Sequence, residues 1–290
     1  MAVISMKNLL ESGVHFGHRT DKMHPNMKEY VYTVRNGINI IDLQKASQMI
    51  DRAYEDLKKV VEEGKTLIFV GTKKQSQDTI ALEAKRCGMY YVNSRWLGGT
   101  LTNMKTVRKS VGILEDLEKL EESNKANALT KKEVAIMMRK REKLRRNLGG
   151  IKEMTNLPGA MFVVDLKKDH VAVAEAKRLG IPVFAMVDTN CDPKLVDHVI
   201  PSNDDATRSI KLITKMVSDA VMEGRKALDD DDMVGNIPSE DLSYENEGAP
   251  KIVKESVDSS QQSTEVVNKE SKGEEGGPKV EAPAETNKEN

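Results

Sequence analysis

Three groups of residues in this chain have types and spacings that could do chemistry. The first is Ser94-Arg95-Trp96-Leu97-Gly98-Gly99-Thr100-Leu101-Thr102-Asn103, where the only tryptophan stands beside an arginine and a glycine pair at the mouth of a long charged helical stretch. Open glycine backbone and a guanidinium at one spot suit contact with a phosphate backbone, and the stretch is expected to mark a surface. Trp96 itself also reads as a buried anchor at a strand-to-helix corner. The second group is Gly71-Thr72-Lys73-Lys74, which follows an apolar run and precedes a helical one, a place where helix N-termini bind anions. The third is His15, His18, Asp188, Asp204 and Asp205, which converge if the N-terminal loop folds over the strand ends. A zinc or magnesium ion suits such donors. In the other reading Asp204 and Asp205 cap the last helix and the histidines anchor loops. No ligand pair has a local signature, so the sequence requires no metal and no cofactor.

Enzyme chemistry is the competing use of the second group, as a nucleotide- or phosphate-handling site on a doubly wound sheet. GxxxxGK[ST] is absent, no GxGxxG follows a strand, and Asp165-Leu166-Lys167 lacks the second acid of a phosphotransfer pair. There is no Gly-x-Ser-x-Gly elbow, and neither Cys87 nor Cys191 has a partnering histidine beside it. Lys73 and Lys74 therefore read as phosphate-backbone contacts, with no small-molecule substrate expected.

The elements that must position these groups alternate. Thr66 to Val70 reads as a buried strand and Gln75 to Cys87 as the helix after it. The pattern repeats as strand Met161 to Asp165, helix Val171 to Leu179 closed by Gly180, strand Val183 to Val187, a short strand His198 to Ile200, and helix Ala206 to Glu223. Continuous apolar strands between helices predict a parallel sheet covered on both faces. Tyr30 to Val34 and Ile38 to Leu43, split by Asn36-Gly37, read as a hairpin, and Ala46 to Val61 as a helix. From Leu101 to Gly150 the pattern is purely helical. Val107, Val111, Leu114, Leu117 and Leu120 trace one stripe, and Val134, Met137, Leu144, Leu148 and Ile151 a second. Two antiparallel helices follow, turning at Ser123 to Leu129, with Thr130 and Glu133 as a capping box. Each would reach about 30 Å. They are expected to pack mainly against each other and to probe a large partner.

Charge divides the chain. Of 46 acidic and 45 basic side chains, residues 229–290 hold 17 and 6, which leaves 29 and 39 for residues 1–228. The body carries +10 and the tail -11. A basic body favours nucleic acid or another polyanion. The tail opens with Asp229 to Asp232 and is poor in aromatic residues, so it is expected to be disordered, either as a solubilising extension or as a guard against wrong polyanions. No long apolar stretch precedes Lys7, so neither a signal peptide nor a membrane span is expected, and the two distant cysteines fit reduced thiols of a cytosolic protein.

Several motifs in one order carry a resemblance: Gly13-Val14-His15-Phe16-Gly17-His18, Arg35 to Leu43, Arg95 to Gly99, Leu157-Pro158, Gly180-Ile181-Pro182, Asp188 to Pro193, and Asn203 to Ala206. Together they resemble the bacterial small-subunit ribosomal protein of the S-two family, over Met1 to about Arg225. The resemblance implies an α/β fold: a flavodoxin-like parallel sheet domain flanked by helices, with an inserted protruding α-helical coiled-coil hairpin. On this reading residues 1–100 and 151–228 form the sheet domain, 101–150 the hairpin and 229–290 the acidic tail. The family is a structural constituent of the ribosome and not an enzyme. It implies small-subunit ribosomal RNA, bound between head and body, and neighbouring proteins including the messenger-RNA-capturing S-one protein as partners, in the cytoplasmic ribosome and without a membrane. Contacts to RNA are expected from Lys73, Lys74, Arg95, Trp96, Arg108, Lys109, Arg139, Lys140, Arg145 and Arg146. The chain departs from the family at Met23-His24-Pro25-Asn26-Met27, where Trp-Asn-Pro-Lys-Met is common, and at Thr100 and Met104, where Met and Phe are commoner.

Overall fold

A computed structural model of the chain describes residues 3–122 and 130–234. It opens on a short helix, α1 (Met6–Glu11), where the Ser5 hydroxyl accepts from the Asn8 amide and Leu9 is driven into the core. Strands β1 (Phe16–Arg19), β2 (Val31–Arg35) and β3 (Ile38–Ile41) then form an antiparallel sheet in the order β1-β3-β2. Asn36 and Gly37 turn β2 into β3 with φ of 51° and 74°, the left-handed pair that matches the twist of a two-residue hairpin. Helix α2 (Leu43–Glu62) starts where the Asp42 carboxylate accepts from the Gln44 and Lys45 amides, and it buries Ala46, Ile50, Ala53, Leu57 and Val61 on one stripe.

The main sheet holds β4 (Leu67–Val70), β5 (Tyr90–Val92), β6 (Ala160–Val163), β7 (Val183–Val187) and β8 (His198–Pro201), all parallel, in the order β5-β4-β6-β7-β8. Counted along the chain this is the 2-1-3-4-5 order of a flavodoxin-like sheet. Its helices are α3 (Gln77–Arg86), α4 (Met104–Glu122), α5 (Lys131–Leu148), α6 (His170–Arg178) and α7 (Thr207–Val234). Leu67, Phe69, Phe162 and Phe184 pack on one side with α2, α3 and α7. Ile68, Val70, Met161, Val163 and Ala185 pack on the other with α6 and the start of α4. Two covered faces explain why β4, β6 and β7 are apolar at every position and not at alternate ones.

Three expectations need correction. The last helix runs past Glu223 to Val234, so Asp229 to Asp232 lie in its final turns and do not open the tail. Strand β5 was hidden in Tyr90-Tyr91-Val92, too short to show a period, and α1 and β1 likewise carry no repeat. The third concerns the inserted helices, which do not pack only on each other. Val107, Val111, Leu148 and Ile151 join the apolar cluster beneath the sheet. The Arg108 guanidinium donates to the Lys152 carbonyl at 2.7 Å and the Met154 carbonyl at 3.4 Å, which fixes the start of α4 beside the chain leaving α5. Thr130 and Glu133 do form the capping box of α5. The expected turn at Ser123 to Leu129 and the tail beyond Val234 lie outside the described residues.

Candidate functional site

The C-terminal ends of β4, β6, β7 and β8 meet in a buried polar cluster, at the edge where doubly wound sheets hold ligands. Thr72, just after β4, donates from its amide and its hydroxyl to Asp169, at 3.1 and 2.9 Å. Lys73 turns inward: its ammonium lies 2.9 Å from Asp204, 2.6 Å from Asp205 and 3.7 Å from Asp165. The small sheet covers the cluster from the N-terminal side. Gly17 of β1 lies so close to Thr189 that a Cβ there would sit 2.5 Å from the threonine methyl, and the His18 amide donates to the Thr189 hydroxyl at 2.8 Å. The His18 ring then stands between Asp188, 3.2 Å from Nδ1, and Asp205, 3.3 Å from Nε2.

Electrostatics follow from this crowding. Burial, with Asp188 and Asp165 close by, pushes the Asp204 carboxyl up to about 7. The Asp188 carboxylate beside its ring leads the causes that raise the His18 pKa. Burial would lower Lys73, but Asp205 and Asp204 outweigh it and hold the ammonium charged. Burial would raise Asp205, and the Lys73 ammonium more than reverses this. Of the five candidate ligands the structure gathers three, His18, Asp188 and Asp204, with ligand atoms within 4.8 Å of one another. Such a donor set could hold zinc or magnesium. Asp205 lies on its outer side. His15 is elsewhere, its ring tilted at 39° against Phe16 with 4.1 Å between ring centroids, and burial lowers its pKa. Asn203 shapes the turn ahead of α7, its side-chain oxygen accepting from the Asp205 and Ala206 amides at 2.8 and 3.2 Å, while the Asp204 and Asp205 carboxylates are engaged by Lys73. Five carboxylates, three of them tied to Lys73, disfavour a phosphate in this crevice.

The Arg95 to Thr102 stretch is organised by a residue that sequence reasoning missed. Glu175 of α6 is 7% exposed, and its two carboxylate oxygens accept from the Trp96 indole N–H, the amides of Gly99, Leu101 and Thr102, and the Thr102 hydroxyl, at 2.8 to 3.1 Å. Burial alone would raise its pKa, but these donors bring it below the usual carboxylate value. Nothing within the local sequence signals this clamp, since its donors lie 73 to 79 residues away.

Placement divides the ten expected RNA contacts. Lys73 is engaged inside the cluster and Arg108 holds backbone carbonyls, while Trp96, 8% exposed, is a core side chain bonded to Glu175. These three side chains are engaged within the protein. Lys74, Arg95, Lys109, Arg139, Lys140, Arg145 and Arg146 are exposed. The loop Met23 to Met27 is held by Met27, which is fully buried, and by the Asn26 side chain, which donates to Asp192 at 2.9 Å.

Among the described residues no helix is long and apolar enough to cross a membrane. The family model described as ribosomal protein S2 matches residues 9–224, which span both sheets and the inserted helices. That family is a structural one of the small subunit of the cytoplasmic ribosome, not a family of enzymes. The sheet order, the basic exposed residues and this match agree, and the chain belongs to the ribosomal protein S2 family.

Proposed function

We propose that this chain binds small-subunit ribosomal RNA between head and body through a basic surface centred on α5, and supports docking of the S-one messenger-RNA-binding protein. The observation that carries the first half is the exposure of Lys131, Lys132, Arg139, Lys140, Lys143, Arg145 and Arg146 along one 18-residue helix. Seven cations on one helix give the steep electrostatic attraction that phosphate backbones require. Lys74, Arg95 and Lys109 extend the surface, with Arg95 set by the Glu175 clamp. The α4–α5 pair acts as an inserted helical hairpin that reaches toward RNA from a foot in the core. The small sheet supplies the protein-facing side: Tyr32 and Val34, two residues apart on β2, are 75% and 52% exposed, the kind of apolar surface that a neighbour covers. The acidic tail moderates attraction to unrelated RNA.

The test is binding of the full chain to small-subunit ribosomal RNA across a potassium chloride series. Changing Arg139, Lys140, Arg145 and Arg146 to glutamine is expected to flatten the log-log salt slope by about 2 to 3 units, at roughly 0.7 for each phosphate no longer neutralised. An unchanged slope would remove α5 from the interface.

A further inference from the structure

We propose that the cleft between the β5 edge of the main sheet and the foot of α5 seats the phosphodiester backbone of an RNA strand. The inference rests on the RNA-binding reading above and says where on the surface the strand enters. The cleft measures about 460 Å³, and its lining includes Lys85 of α3, Tyr91 of β5, Glu118 of α4, and Arg145, Arg146 and Lys152 from the end of α5 and just beyond. Four cations from three segments thus face one carboxylate. Glu118 is taken by the Lys152 ammonium at 2.6 Å, so Lys85, Arg145 and Arg146 remain as exposed positive charges at the rim.

The walls are fixed by backbone. A Cβ on Gly150 would collide with the Tyr91 carbonyl and ring, so the foot of α5 rests directly on β5 and the two sides keep their spacing. The Lys85 ammonium lies 5.9 Å from the centre of the Tyr91 ring, a cation–π contact that holds it over the opening. Arg145 and Arg146 are anchored by a helix whose last residue, Leu148, is buried.

A free nucleotide or inorganic phosphate shares the chemistry of a phosphodiester, but the charge pattern continues beyond the cleft. Arg139, Lys143 and Arg146 recur at i, i+4 and i+7 and are all exposed, which makes a row about 10 Å long on one face of α5. A row leading into a cleft suits a strand of phosphates better than a single anion.

The test uses the full chain and a labelled single-stranded oligoribonucleotide. The triple variant Lys85→Gln, Arg145→Gln, Arg146→Gln is compared with the charge-matched Lys7→Gln, Lys211→Gln, Lys215→Gln on α1 and α7. The cleft variant is expected to flatten the salt slope by about 2 units and the control by less than half of that. In the unaltered chain, acetylation of Lys85 is expected to slow several-fold when the oligoribonucleotide is present, but not with millimolar inorganic phosphate or nucleoside monophosphate. Equal slope changes in the two variants would overturn the cleft as the seat while leaving RNA binding elsewhere intact. So would protection of Lys85 by the small anions as strongly as by RNA. If the unaltered chain shows no salt-dependent RNA binding, the broader reading falls with it. Lys85 protection needs no substitution, so the result does not depend on the variants folding.

Discussion

Five donors converge on Glu175, and the buried Trp96 indole and Leu101 amide would be left without a partner if the carboxylate were removed, while the Gly99 and Thr102 donors lie nearer solvent. An unsatisfied buried donor costs about 1 to 3 kcal/mol, so Glu175→Ala is expected to lose roughly 3 kcal/mol or more, read as a lower urea midpoint. Arg95 and the Gly98-Gly99 backbone then lose their fixed orientation, so RNA affinity should fall although no cation has been touched. A second prediction follows from the lowered pKa of Glu175. Its folded value lies below that of the unfolded chain, so the unfolded chain binds more protons through that range. The contribution is then fully present at neutral pH and lost as pH falls through the folded value. The stability gap between the unaltered chain and Glu175→Gln should accordingly be widest near pH 7 and narrow below about pH 4. A gap independent of pH would mean that the carboxylate charge contributes nothing. The sequence made the Arg95 to Thr102 stretch conspicuous but not its environment. Trp96 was legible as either surface or core, and only the fold, which brings α6 against it, decides for the core. The engagement of Lys73 was hidden for the same reason: its partners Asp165, Asp204 and Asp205 come from other strand ends, and sequence spacing does not show that an ammonium is already paired.

Elements with a period were readable and those without one were not. Strand β7 matches its expected bounds, and α2, α3 and α6 differ from theirs by a few residues, because apolar runs and three-four stripes survive in the sequence as such. The polar cluster at the strand ends could be anticipated only as a group of residue types, since its closure depends on Gly17 approaching Thr189. The inserted helices show how a correct pattern can carry a wrong energetic reading. Their stripes are amphipathic, but Val107, Val111 and Leu148 are at most 9% exposed and belong to the core beneath the sheet. Burial of each such side chain is worth about 1.5 to 3 kcal/mol, so removing all three forfeits roughly 5 to 9 kcal/mol, comparable with the whole stability of a domain. Excising residues 103–149 is therefore expected to abolish cooperative unfolding. Excising only residues 119–140, with a short glycine bridge from Glu118 to Arg141, should keep it while weakening RNA binding. Calorimetry on the two deletions checks this, and equal cooperativity in both would show that the foot is dispensable. Gly150→Ala belongs to the same scale: the new methyl meets the Tyr91 backbone, which cannot swing away, and a loss of about 1 to 3 kcal/mol is expected from the forced shift.

At the scale of the whole chain the two halves of the charge oppose each other. The body carries +10 and residues 229–290 carry -11, so the sum of -1 hides a strongly basic surface. Asp229 to Asp232 occupy the final turns of α7, where the helix dipole already places negative charge, so their removal should not weaken that helix. Truncation after Leu228 takes the last six residues of α7 together with the tail, and its main effect is expected on the electrostatic field around the body. Long-range attraction between the body and any RNA should rise, and because the Debye length is about 10 Å at 0.1 M salt and about 30 Å at 0.01 M, the gain should be large at low ionic strength and small near physiological salt. Binding of bulk, unrelated RNA is the sensitive measurement, since there the sequence-independent term supplies essentially all of the affinity. The truncated chain is expected to bind such RNA more tightly at 0.01 M salt, to approach the full chain near 0.2 M, and to join small subunits in cells as before. Equal binding of bulk RNA by both chains at low salt would show that the tail exerts no long-range influence on the body. Failure of the truncated chain to join subunits, with its unfolding unchanged, would instead mean that the tail docks on a specific partner, because charge screening alone cannot make assembly depend on it.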